Sequence, residues 1–238
     1  PFDFFRNTPH FVYHVMSAVP YTVLPNVDHT QAGAIIMLLT YLGTMGIIAW
    51  QLIKAVRRSL AKQMLLIIGL LTISLMLVVP INLFTPDNLY FGYFTSHVYH
   101  NPTVNMMKPF ALLLFIAAVP IYRAKEPLSW RWVPAYALLT ALCLLAKPSF
   151  ILAFLPALAL LTLYRILRRQ AINWLLLIGG IVAPAGALLV YQTLTWTSGG
   201  GIGIDFLRVF REWTLHYDPN AASWLIPKLV FSVAFPLS

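Results

Sequence analysis

Seven apolar runs, separated by shorter polar ones, set the plan of this chain. They lie at roughly 31–53, 62–85, 108–122, 133–146, 148–164, 172–195 and 223–238. None alternates apolar and polar residues with the period of two that a membrane β-strand needs. A lipid-exposed backbone must satisfy its hydrogen bonds internally, which leaves the α-helix. The pattern therefore predicts an all-α fold, a polytopic transmembrane bundle of six to seven helices. Three runs, 108–122, 133–146 and 148–164, are short. As helices they extend ~21–26 Å, against a hydrocarbon core of about 30 Å. Helices this short thin the bilayer or end inside it beside a protein-walled cavity. Two of them meet at "LLAKPSF" (Leu144 to Phe150), which predicts a tight turn at Lys147 and Pro148.

Composition and charge orient this plan. The 238 residues are 60% hydrophobic and 10% charged, too little polar material to coat a soluble globule. The net charge of +9 does not indicate nucleic acid, because the cations cluster in short loops between apolar runs. Ten of the sixteen Lys and Arg fall in "KAVRRSLAK", "RAKEPLSWR" and "RILRR". The positive-inside rule makes the loops 54–62, 123–132 and 165–171 cytoplasmic. With helices alternating, 1–30 and 196–222 become outer loops, each with a surface helix. Residues 31–195 hold six transmembrane helices, and 223–238 starts a further one. All six histidines and six of the seven acids then lie outside, Glu126 being the exception, so any active site belongs to the outer face. Pro1 in place of an initiator Met, and the apolar end "FSVAFPLS", are expected of one transmembrane domain cut from a longer chain. Cys143, the single cysteine, reads as a small buried hydrophobe.

Several positions carry candidate chemistry. A lysine between two apolar helices costs ~2.5–3.5 kcal/mol at mid-depth unless it snorkels or meets an anion. Lys147 thus has two readings: a phosphate-holding cation, or a cap for the carbonyls that end helix 133–146. The stretch "SHVYHNPTVNMMKPF" (Ser96 to Phe110) is polar beyond what its Asn-Pro-Thr helix start requires. His97 and His100 stand three residues apart, followed by Asn101 and Lys108. Upstream, Tyr93 and its aromatic neighbours suit either a sugar-binding face or an interfacial aromatic belt. His10 and His14 share a helix face at i, i+4, as metal ligands can. No HExxH pattern and no third ligand accompanies them, so no metal site is expected. An amphipathic surface helix, with Phe11, Val12, Val15 and Met16 turned to lipid or protein, accounts for that stretch. The glycines after Ser198 lack a nucleotide-loop context.

The short basic inner loops, the outer surface helices and the run "LLAKPSFILAFLPALALL" (Leu144 to Leu161) resemble the GT-C superfamily. These are integral-membrane glycosyltransferases, and the likeness is to bacterial mannosyltransferase-like members. The resemblance implies a plasma-membrane enzyme of hexosyltransferase type. It would take a polyprenyl-phosphate-linked sugar as donor and membrane lipid as surroundings, and transfer sugar to an acceptor on the outer face. It implies a carboxylate base on the first outer loop, and Asp3 is the residue at hand. By the resemblance Lys147 would contact phosphate, and His100 and Asn101 would line the donor or acceptor cavity. From their own positions, Lys108 at the mouth of helix 108–122 could contact a lipid phosphate or simply the headgroups, and His97 and Tyr93 are the further substrate-binding candidates. Family members differ in metal use, so a divalent metal stays open and no fixed cofactor is implied. The competing expectations are a non-catalytic membrane scaffold and a transporter of lipid or polymer.

Overall fold

A computed structural model describes residues 11–56, 62–77, 102–123 and 129–195. Every regular element among them is helical. In chain order these are α1 (Val12–Val23), α2 (His29–Val56), α3 (Lys62–Leu77), α4 (Pro102–Arg123), α5 (Val133–Ala146) and α6 (Ser149–Leu167). A π-helical segment (Leu175–Val182) then runs directly into α7 (Ala183–Thr195). Four helical runs are long and apolar enough to cross a membrane: most of α2, all of α4 and α6, and Leu175–Leu194. Their outward residues are apolar too, with Leu38, Phe115, Leu160 and Leu167 all more than half exposed. A surface of this kind is solvated by lipid, and the chain is an integral membrane protein.

The chain falls into two compact units, Pro1–Ala61 with Pro102–Gly201, and Lys62–Asn101 with Ile202–Ser238. In the second, the described part is α3, where buried Thr72 donates its hydroxyl to the Ile68 carbonyl at 2.7 Å. The first unit holds all the other described elements, and its core follows helical periodicity. Ala111, Leu114, Ala118 and Ile121 form one buried stripe of α4. Tyr136, Thr140, Cys143 and Leu144 do so on α5, and Ile151, Phe154 and Leu158 on α6. Cys143 is fully buried, as its apolar setting predicts. Although it has only 14 residues, α5 packs on α4, α6, the π segment and α7.

Hydrogen bonds between helices fix the register of this unit. Tyr136 donates its hydroxyl to the Ala117 carbonyl at 2.7 Å, and the Tyr122 and Thr162 hydroxyls meet at 2.8 Å. The Asn173 backbone N–H reaches the Ile121 carbonyl at 2.9 Å, docking the start of the π segment on the end of α4. The Asn173 side-chain oxygen accepts from the Leu176 N–H at 3.2 Å and so caps the helix it precedes. We expect Asn173→Ala to cost ~1 kcal/mol, the usual loss of an N-cap, read as a lower thermal midpoint in detergent.

Helix ends differ from the apolar runs in physically informative ways. The run beginning at 108 belongs to a 22-residue helix that starts at Pro102. Proline at a first helical position surrenders only an N–H that would have no helical partner, so "PTVNMM" is helix and not turn. Likewise α6 extends to Leu167, giving 19 residues. Of the three runs expected to be short, only α5 stays so, at 14 residues. Upstream, Asp28 and Gln31 form a reciprocal capping box: the Gln31 N–H meets Asp28 Oδ1 at 2.8 Å, and the Asp28 N–H meets Gln31 Oε1 at 3.1 Å. At the end of α6, Arg169 adopts φ 51°, with Gln170 N–H bonded to the Arg165 carbonyl and Arg169 N–H to that of Ile166. This is a Schellman end with arginine where glycine is favoured.

Candidate functional site

The helix order sorts charge to the two ends of the first unit. Since α4 and α6 run one way and α5 the other, Pro102, Ala146 and Ser149 share one end. Arg123, Arg131, Arg165, Arg168 and Arg169 collect at the opposite one. The candidate site lies at the first of these ends, where α1, α2, α4 and α5 converge.

Its floor is apolar. Val12 of α1, Ile36 of α2, Met106 of α4 and Ala146 of α5 pack together, flanked by Phe11, Tyr13, Met107, Phe110 and Leu145. Gly33 permits this approach, because a Cβ there would stand 2.7 Å from the Tyr13 hydroxyl oxygen. Buried Thr40 shares its hydroxyl between the Ile36 carbonyl at 2.7 Å and Met106 Sδ at 3.3 Å. Lys147 follows the floor residue Ala146 in the chain, and Lys108 follows Met107, which flanks the floor. Lys147 is the C-cap of α5, with extended backbone (φ −167°) and its N–H on the Cys143 carbonyl at 3.1 Å. Pro148 turns the chain, and Ser149 donates its hydroxyl to Met107 Sδ at 3.6 Å. That contact ties the Lys147 turn to the residue before Lys108.

The two lysines differ in setting. The half-buried Lys147 ammonium makes no hydrogen bond or ion pair among the described residues, and desolvation pushes its pKa below the ordinary lysine value. The Lys108 ammonium, also half-buried, stands 5.9 Å from the Tyr41 ring, a cation–π geometry. Lys147 has no described carboxylate beside it. Such a floor with cations at its edge fits a ligand that is apolar along most of its length and anionic at one point.

The other expected residues divide plainly. His14 is described: it is exposed on α1, edge-on to Tyr13 with ring centroids 5.5 Å apart. Of the α1 residues expected to face lipid or protein, Val12 is buried, Phe11 is half-buried, and Val15 and Met16 are exposed. Asp3, His10, Tyr93, His97, His100 and Asn101 lie outside the described residues. Among the described residues, no group of three His, Cys, Asp or Glu stands close enough to hold a metal. Sequence reasoning passed over Asn105, which is fully buried in α4 one turn before Lys108. An asparagine inside an otherwise apolar span was its available signal. No family model, curated protein or solved structure matches the chain.

Proposed function

We propose that this protein is a membrane glycosyltransferase of GT-C type, drawing sugar from a polyprenyl-phosphate donor at the end of the bundle that carries Lys147. One observation carries the reading: a half-buried lysine with no described anionic partner directly follows Ala146 of an apolar floor shared by four helices. A partly desolvated ammonium without an anion is unfavourable, and a lipid phosphate supplies one where the apolar chain of the same molecule lies along the helices. In the reaction, the acceptor hydroxyl oxygen attacks the anomeric carbon of the sugar. The bond from that carbon to the phosphate oxygen breaks, polyprenyl phosphate departs, and the hydroxyl proton passes to a carboxylate base. Lys147 would stabilise charge gathering on the departing phosphate. Lys108 would add a second cation, and Asp3 is the base that the sequence offers.

The test uses the protein in native membranes with a radiolabelled polyprenyl-phosphate-sugar pool. Lys147→Ala should lower sugar release about tenfold, as expected for one lost charge-assisted hydrogen bond. Lys147→Arg should restore part of it. Equal release by all three proteins, at equal accumulation, would reduce Lys147 to a helix-end lysine and remove the main support for the enzyme. No release by the unmodified protein with several sugars would favour a scaffold or a transporter.

A further inference from the structure

The opposite end of the first unit carries a second feature, independent of the glycosyltransferase reading. Between α6 and the π segment runs a cleft of about 490 Å³, within the usual ~300–1,000 Å³ of ligand sites. Leu155, Ala159 and Ile166 form one wall, and Trp174, Ile178 and Val182 the other. Thr162 also lines it, but its hydroxyl is engaged by Tyr122. The cleft is thus apolar along its length, between two helical runs long enough to span a membrane.

None of its lining side chains is charged, but arginines stand beside Ile166 in the chain, at the turn that joins the two walls. Arg165 stands one turn after Thr162, and its Nη2 donates to the Ala171 carbonyl at 3.3 Å. That bond holds the guanidinium across the loop between the two walls. The Nε of Arg165 is buried and has no hydrogen-bond partner. A buried guanidinium N–H without an acceptor is costly. Arg168 lies over the Tyr164 ring at 5.6 Å, and Arg169 keeps a positive charge at a left-handed position that glycine would occupy without strain. No carboxylate is present at this end among the described residues.

We propose that this cleft is an intramembrane site for an anionic phospholipid. One acyl chain lies between α6 and the π segment, and the headgroup phosphate accepts from Arg165. Guanidinium is the side chain best matched to phosphate oxygens, and basic pockets between transmembrane helices bind such headgroups. Charge selects the headgroup, while the apolar walls select a lipid over a free anion.

Native mass spectrometry of the purified protein tests this, using micelles with equal phosphatidylglycerol and phosphatidylcholine of matched chains. The unmodified protein should retain phosphatidylglycerol about fivefold over phosphatidylcholine, as one cation contributes near a membrane surface. Arg165→Gln should bring that ratio close to unity. Ala159→Trp fills the cleft without altering charge and should reduce retention of both lipids. A ratio near unity for the unmodified protein overturns the proposal, as does an unchanged ratio in Arg165→Gln of native helicity. Unchanged retention in Ala159→Trp would remove the cleft as the seat of binding. Should Arg165→Gln fail to fold, the unmodified and Ala159→Trp proteins decide the matter between them.

Discussion

Replacing Gly180 with valine is expected to lower stability by ~3 kcal/mol, the upper range for overpacking a close contact. A Cβ at Gly180 would lie 2.6 Å from the Cβ of Tyr136 and 3.3 Å from its Cγ. The obstructing atom is the first carbon of its side chain, pinned by the α5 backbone, so no rotamer change relieves the clash. Relief requires α5 and the π segment to separate. That separation also strains the Tyr136 bond to α4 and the Thr140 bond to the Gly180 carbonyl. In lipid, helices associate by packing and hydrogen bonding more than by the hydrophobic effect, so lost contact is poorly compensated. Gly186, on α7, is the matched control, because a Cβ there meets nothing within 4 Å. Gly186→Val should be neutral or slightly stabilising through helix propensity. Thermal midpoints of the two variants in one detergent provide the comparison. Equal midpoints would mean that α5 and the π segment do not approach as described.

A second large effect is expected at Thr140, with an unusual form of rescue. Thr140, fully buried on α5, donates its hydroxyl to the Gly180 carbonyl at 3.0 Å. In a regular α-helix that carbonyl would accept from the N–H four residues on, but residue 184 is proline and has none. At the junction of the π segment with α7, where Pro184 has no N–H to give, the threonine supplies a donor from a neighbouring helix. Hydroxyls and neighbouring helices re-satisfying carbonyls freed by proline are what let membrane helices carry it. Thr140→Val keeps the shape and removes the donor, and should cost ~2 kcal/mol, the range for a buried acceptor left unpaired. Pro184→Ala restores an N–H within the helix. In the Thr140→Val background it should recover at least half of that loss. A double-mutant cycle on unfolding free energy reads the coupling directly. Strict additivity of the two substitutions would show that the hydroxyl does not substitute for the missing amide.

The physical role of the π segment follows from the same contacts. The Ala183 N–H bonds to the Ile178 carbonyl, five residues back. A π segment is a frequent accompaniment of functional helices. Here it turns the Gly179–Gly180 pair toward α5, with Gly179 beside Val133 and Gly180 beside Tyr136. It also forms one wall of the cleft beside α6. One local departure from α-helical winding thus serves both the packing of the first unit and the lipid-facing groove.

Much of this architecture was written in local composition. Apolar runs locate the helices because a membrane span must be apolar over a minimum length, whatever it packs against. The cationic residues gathered at one end follow from strict alternation of spans, which the sequence already carries in its basic loops. Pro102, Pro148 and Asp28 all stand at helix starts, since start signals act within a single turn. Tertiary structure decided the remainder. A window of hydropathy treats Asn105 and Lys108 as the edge of a span, whereas α4 begins at Pro102 and buries Asn105 completely. Hydropathy does not show the contacts that "LLLIGGIV" makes: Gly180 meets Tyr136 and Thr140, forty or more residues earlier in the chain. The Ser149–Met107 contact that joins the Lys147 turn to α4, and the unpartnered Nε of Arg165, likewise exist only once helices from distant parts of the chain have packed. Helix identity is a property of short range, set by hydropathy and capping. Which polar groups meet, and which remain without a partner, is set by packing between elements that sequence order does not place side by side.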